Sequence, residues 1–146
     1  MPSDDRGYPV ARPVRIISIP AFLILVACRP PALAPEAPNT ADTRAVLAFL
    51  EAYGHRDLDG MMRLLTEDAV FRGSGKDLPK PEIRAYFQST FRKHPGLRVE
   101  VGALRVLQGT VHARVTVRTD AIWTDTWIFE LRDHRIRAYS LASGGR

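Results

Sequence analysis

The groups best suited to chemistry lie on one predicted strand near the C-terminus. Trp123, Asp125 and Trp127 alternate with other residues, so a strand over residues 122–131 places them on one face. The next two residues of that face are apolar, which marks it as the buried face. A carboxyl group among indole rings can hold a proton at neutral pH and act as an acid or a base. The alternative is an Asp125 at the sheet rim or paired with an arginine, the usual situation of an aspartate.

Two tyrosines are the predicted neighbours of this carboxylate. Tyr53 and Tyr86 each lie on the apolar face of a predicted helix. Such tyrosines usually pack in a core with a tethered hydroxyl, which is the alternative to a binding role. The candidate ligand pocket consists of Tyr53, Tyr86, Trp123, Asp125 and Trp127. If the protein is an enzyme, Asp125 and Tyr53 are the candidate catalytic residues.

Other site chemistries find little support in the sequence. The four histidines fall in predicted turns or on a polar strand face, and no two have the spacing of metal ligands. The sequence also lacks a glycine-rich phosphate loop and a nucleophile elbow. We therefore expect neither a metal nor a cofactor.

Cys28, the one cysteine of the chain, follows a sequence typical of an exported protein. Three arginines precede an apolar run over residues 16–27, which is shorter than the about 20 residues that span a bilayer. Leu25-Val26-Ala27-Cys28 resembles the lipobox of bacterial lipoproteins, in which the cysteine is acylated and the chain is cut before it. We predict a signal peptide over residues 1–27 and lipidation at Cys28. The alternative is a conventional signal peptide that is cut nearby.

Residues 28–40 predict a tether between the lipidated cysteine and a domain over residues 41–143. The tether is rich in proline, so it favours an extended arm that reaches roughly 35 Å from the membrane at about 3.1 Å per residue. Arg29 stands where lipoproteins of the inner membrane of Gram-negative bacteria often carry aspartate. The lipoprotein resemblance therefore implies a protein anchored to the outer membrane and facing the periplasm.

The charge of the chain is basic but not concentrated. The full chain carries +5, and removal of the signal peptide leaves 18 basic and 14 acidic residues, a charge of +4. The arginines are spread singly, and an exported protein rarely meets nucleic acid, so no nucleic-acid partner is expected. A plain solvated surface and attraction to anionic lipid headgroups are the two remaining interpretations.

The domain predicts helices first and strands after them. Helices are expected to begin near residue 40, at Asp57 and near Pro81. Strands are predicted over 69–71, 97–106, 111–117, 122–131 and 135–141. The apolar alternation changes phase at Gly102-Ala103, which indicates a bulge. This order predicts an α+β fold in which three helices pack on a curved antiparallel sheet.

Residues 57–71 resemble the signature of the nuclear transport factor 2 superfamily. Asp57-Leu58-Asp59 forms the break after the first helix, and Glu67-Asp68-Ala69-Val70-Phe71 enters the first strand. The resemblance covers about residues 42–142 and is nearest the polyketide-cyclase-like and ketosteroid-isomerase-like branches. It implies a cone with helices on one side, a concave sheet on the other and a pocket between them. This fold carries enzymes, binders and assembly modules, so it leaves the activity open.

The isomerase branch has catalytic groups that this chain lacks. Its base is an aspartate just beyond the first strand, where this chain has Arg72 to Lys76. Its first-helix tyrosine falls at Phe49, and its acidic hydrogen-bond donor falls at about Thr126. Isomerase catalysis in the manner of the family is therefore not expected.

Two functions from different classes remain. The favoured one is a lipid-anchored module that binds a small apolar ligand in the cone, or uses its outer sheet face for a partner or a homodimer. The alternative is a small periplasmic enzyme of isomerase or dehydratase type that uses Asp125 with Tyr53. Facing polar groups that meet within about 3 Å of one point would favour catalysis.

Overall fold

The structure, a computed structural model, describes residues 39–73 and 75–143. The predicted signal peptide, Cys28 and nearly all of the predicted tether lie outside these residues. No helix of the described part of the chain is long and apolar enough to cross a membrane.

Three helices form where the capping residues predict them. Helix α1, Ala41–Gly54, begins at Thr40, whose hydroxyl accepts a hydrogen bond from the Thr43 N–H at 3.2 Å. Helix α2, Leu58–Leu64, is capped by Asp57, whose carboxylate accepts from the Gly60 N–H at 2.8 Å. Helix α3, Lys80–Lys93, has Pro81 in its first turn, where proline costs no hydrogen bond.

Six strands form one sheet in the order β2-β1-β6-β5-β4-β3. Their bounds are β1 Leu65–Arg72, β2 Asp77–Pro79, β3 Arg98–Leu107, β4 Thr110–Arg118, β5 Ile122–Arg132 and β6 Arg135–Leu141. Strand β1 is longer than the predicted 69–71, and β2 was not predicted because three residues are too few to show an alternation.

One strand pairing corrects the prediction of an antiparallel sheet. Strands β3 to β6 form antiparallel neighbours, and β2 runs antiparallel to β1, but β1 lies parallel to β6. Along the chain, β1 follows α2 directly, and β2 and α3 follow β1. No hairpin joins β1 to β6, so hairpin geometry does not fix their relative direction. The sheet is therefore mixed.

The sheet is irregular where the sequence predicts it. The register of β3 and β4 shifts between Val101 and Leu104, at the predicted bulge of Gly102-Ala103. The turn between these strands has φ of 50° at Gln108 and 79° at Gly109, the left-handed region that two-residue hairpins need. The bulge bends β3 and helps curve the sheet around the helices.

The core lies between the helices and the concave face of the sheet. The four predicted inward residues of β4 are all buried: Val111, Ala113, Val115 and Val117. The Phe49 ring of α1 has its centroid 5.9 Å from that of Phe129 and 6.3 Å from that of Phe87. The α+β fold with helices on a curved sheet is thus confirmed, and its core is fixed by rings from both layers.

Candidate functional site

A cavity of about 660 Å³ opens between helices α1 and α3 and the concave face of the sheet. All five residues of the predicted pocket line it: Tyr53, Tyr86, Trp123, Asp125 and Trp127. They come together because the end of α1 and the middle of α3 border the cavity on one side and β5 borders it on the other. Their role in binding stays a prediction.

The inner end of the cavity is aromatic. Tyr53 and Trp127 are both buried, and their ring centroids are 5.6 Å apart. Burial raises the pKa of the Tyr53 hydroxyl far above its ordinary value, and nearby Tyr86 raises it further. Tyr53 is therefore a neutral hydrogen-bond donor at any physiological pH.

A third tyrosine lies beneath this end of the cavity. Tyr139 is almost completely buried, and its hydroxyl has no hydrogen-bond partner in the described part of the chain. Burial, with smaller contributions from Tyr86 and Tyr53, raises the pKa of Tyr139 well above its usual value. The raised pKa values of Tyr53 and Tyr139 mean that both hydroxyls keep their protons at neutral pH.

The carboxylate of Asp125 is held by neighbouring donors. One oxygen accepts from the Thr126 N–H at 2.7 Å and from the Ser143 N–H at 3.3 Å. The other accepts from the Ser143 hydroxyl. Among the described residues no arginine pairs with it, so the expected arginine partner is replaced by donors of the chain itself. These hydrogen bonds connect Ser143, which follows the end of β6, to Asp125 of β5.

These contacts predict a structural effect for Asp125→Asn. An amide offers one acceptor oxygen in place of two, and its NH₂ group faces donors, so the free energy of unfolding should fall by about 1–3 kcal/mol. Urea denaturation measures the change, with Asp77→Asn as the control because Asp77 is exposed. A variant more stable than the wild type would instead indicate a strained carboxylate kept for function.

At the mouth of the cavity, a polar contact joins α3 to the turn between β4 and β5, and this contact was not predicted from the sequence. His94, at the end of α3, has its Nδ1 atom 3.4 Å from the Asp120 carboxylate in the turn between β4 and β5. The Thr119 hydroxyl, the local backbone and, more weakly, His94 lower the pKa of Asp120. The sequence places His94 in a predicted turn after the third helix. No local pattern links it to residue 120, so the contact could not be predicted.

Trp123 differs from its prediction. It lies on the predicted face and lines the cavity, but its surface is 52% exposed rather than buried. Helix α3 ends at Lys93, so no helix covers the beginning of β5. Trp127, four residues further along β5, is covered and buried as predicted.

The sequence matches a known family over this whole arrangement. Residues 46–139, more than half of the chain, match the family model of the SnoaL-like domain. The chain belongs to the SnoaL-like family. No curated protein matches the chain significantly.

Solved structures share the fold of this SnoaL-like domain. A proposed polyketide cyclase from Sinorhizobium meliloti has a TM-score of 0.61 and 19% identity, covering 67% of this chain and 93% of its own. A proposed ketosteroid isomerase from Kribbella flavida has a TM-score of 0.61 and 13% identity, with coverages of 69% and 76%. An LEH-like epoxide hydrolase from M. tuberculosis has a TM-score of 0.58 and 19% identity, with coverages of 69% and 80%. Identities this low establish the fold alone.

The SnoaL-like domain has no acidic side chain at the position of the isomerase base. Arg72 occupies the start of that segment, and its guanidinium pairs with the carboxylate of Glu130. Neither residue lines the cavity. The acidic side chain that does line it is Asp125, whose oxygens already accept hydrogen bonds from the chain.

Proposed function

We propose that this protein is a lipid-anchored cell-envelope protein whose SnoaL-like domain binds a small apolar ligand in the cone. The observation that carries the proposal is the cavity itself. Its volume of about 660 Å³ falls in the range of roughly 300–1,000 Å³ that is usual for small-molecule sites. The anchor rests on the lipobox-like sequence at Cys28.

The lining favours an uncharged ligand with an oxygen acceptor at one end. Val115, Val117 and Trp127 provide apolar walls, and Tyr53 provides a neutral donor at the inner end. The carboxylate and the imidazole of the lining already have partners, since Asp125 accepts from Ser143 and the His94 ring lies 3.4 Å from Asp120. A charged ligand would therefore lose hydration without gaining an unpaired partner.

The enzymatic alternative is an isomerase or dehydratase that uses Asp125 with Tyr53. The fact that both residues line one cavity supports it, as do the names of the cyclase and isomerase with the same fold. A general base needs a free lone pair aimed at its substrate. The three donors on the Asp125 carboxylate leave it poorly placed for that role, which favours binding over catalysis.

Assembly through the outer sheet face has weaker support than ligand binding. That face carries ion pairs within the chain, such as Arg118 with Glu100 at 2.7 Å and Arg72 with Glu130. Such pairs satisfy the charges of the face without a partner. A homodimer through this face remains an alternative proposal.

Filling the cavity tests the binding proposal. Thr90 lines the cavity from α3, and Gln88 lies on the exposed side of the same helix. In a chain that begins at residue 29, Thr90→Phe should weaken binding of the neutral dye N-phenyl-1-naphthylamine by about tenfold or more, a loss of about 1.4 kcal/mol. Gln88→Phe adds a ring of the same size outside the cavity and should bind the dye like the wild type.

Dye fluorescence titration measures both affinities, and a thermal melt of each variant confirms that it is folded. Equal dye affinity in the wild type and Thr90→Phe would contradict binding in the cavity.

A further inference from the structure

The mouth of the cavity is apolar and unusually exposed. Ile122 and Trp123 begin β5 beside the opening, with 63% and 52% of their surfaces accessible. They are the most exposed large apolar side chains of the described residues. Tryptophan with an accessible ring is typical of the boundary between membrane and water, because its ring is apolar and its N–H is polar.

Cations without acidic partners lie at the same end of the domain. Arg92 and Lys93 end α3 next to the opening, and Arg98 begins β3 at that end of the sheet. No carboxylate pairs with any of the three in the described part of the chain. We define the mouth surface as Ile122, Trp123, Arg92, Lys93 and Arg98.

The opposite end of the domain carries ion pairs that the mouth surface lacks. Arg84 lies 2.7 Å from Asp59 and Arg132 2.6 Å from Asp68, although Arg44 and Arg105 at that end have no carboxylate partner among the described residues. Leu107 is exposed at that end, as the last residue of β3, but it does not line the cavity. At the mouth, exposed apolar side chains, the cavity and three cations without a carboxylate partner in the described part of the chain lie together, and the acidic group there, Asp120, has His94 beside it.

We propose that the mouth surface docks on the anionic surface of a phospholipid bilayer, so that the cavity opens toward the lipid. The cations would lie at the level of the lipid phosphates, and the Trp123 ring would enter the interface. This inference rests on the lipid anchor of the proposed function.

The predicted tether is long enough for this orientation. It joins the domain at the far end from the mouth, since Asp42 of α1 lies 2.8 Å from His134 in the turn after β5. Strand β5 has 11 residues and so extends about 35 Å at most. If it is extended as the sequence predicts, the tether would span roughly the same distance, so an anchor at Cys28 would permit the mouth to face the membrane.

Docking of the mouth on a bilayer would also suit an apolar ligand. An apolar ligand dissolves in the bilayer rather than in water, and a mouth that contacts lipid lets it pass into the cavity without crossing water. The ligand class is therefore narrowed to small, uncharged molecules that partition into membranes.

Quenching of tryptophan fluorescence by brominated lipid tests the docking. The processed, lipidated protein is incorporated into vesicles of neutral phosphatidylcholine and anionic phosphatidylglycerol, with and without bromine on the acyl chains. The wild type should lose emission in brominated vesicles, whereas Trp123→Phe should lose none because Trp127 is enclosed in the core. Vesicles of phosphatidylcholine alone, or high salt, should reduce the quenching.

A matched pair of substitutions identifies the surface involved. Ile122→Ser should reduce the quenching of Trp123, whereas Leu107→Ser, an equal change at the other end, should not. Vesicle-bound wild type without quenching would overturn the docking proposal, and so would equal effects of the two serine variants. Flotation of the vesicles reports the anchor separately, and a protein that does not float with them overturns both the anchor and the docking.

Discussion

We expect Cys28→Ala to release the protein from the membrane. Lipidation needs the thiol, and the chain has no second cysteine to replace it. Cells that express the variant should show no incorporation of labelled palmitate into this protein, whereas the wild type should be labelled. Density-gradient separation of the membranes should place the wild type in the outer membrane fraction.

The control for this variant is Ser18→Ala, which changes a single hydroxyl within the same apolar run. It should be labelled and sorted like the wild type. A Cys28→Ala protein that is still processed normally and stays with the membranes would show that the signal is of the conventional type.

Phe49→Ala removes the ring at the centre of the core. Phe49 is fully buried, and its ring contacts those of Phe129 and Tyr139 with centroids 5.9 and 5.7 Å apart. The free energy of unfolding should fall by about 3–5 kcal/mol, because a cavity forms where α1 meets the sheet. Small domains have only about 5–15 kcal/mol of stability, so the variant should be close to unfolding.

Urea denaturation of a chain that begins at residue 29 measures this loss. Leu47→Ala is the control, because Leu47 lies on the same helix with 42% of its surface exposed; it should cost less than about 1 kcal/mol. A loss at Phe49 as small as that at Leu47 would contradict the observed packing of α1 on the sheet.

The features that depend on residues close together in the chain were predicted correctly from the sequence. The alternation of Val111, Ala113, Val115 and Val117 identified the buried face of β4, and the caps at Thr40 and Asp57 are local side-chain contacts. The phase change at Gly102-Ala103 likewise predicted the bulge, because alternation responds to a single extra residue.

Features set by distant contacts were predicted less well. Alternation placed Trp123 on the correct face, but its exposure depends on where α3 ends over the sheet. The parallel pairing of β1 with β6 depends on how the helices return the chain to the sheet.

The candidate site shows the same division. Its five predicted residues line one cavity, as periodicity along α1, α3 and β5 indicates, although Tyr86 and Trp123 are about half exposed. The groups that hold Asp125 and His94 were missed, since Ser143 and Asp120 are separated from them by long stretches of chain. For Asp125 the sequence left two alternatives, a carboxyl group among indole rings and one at the sheet rim or paired with an arginine. The structure shows donors from Thr126 and Ser143 instead.

Binding in the cavity is tested most directly by native mass spectrometry of the lipidated protein extracted from its own membranes. The wild type and Gln88→Phe should each carry an additional small molecule that is lost on collisional activation, and Thr90→Phe should have only the mass of the acylated chain. The same bare mass for all three proteins would contradict the account.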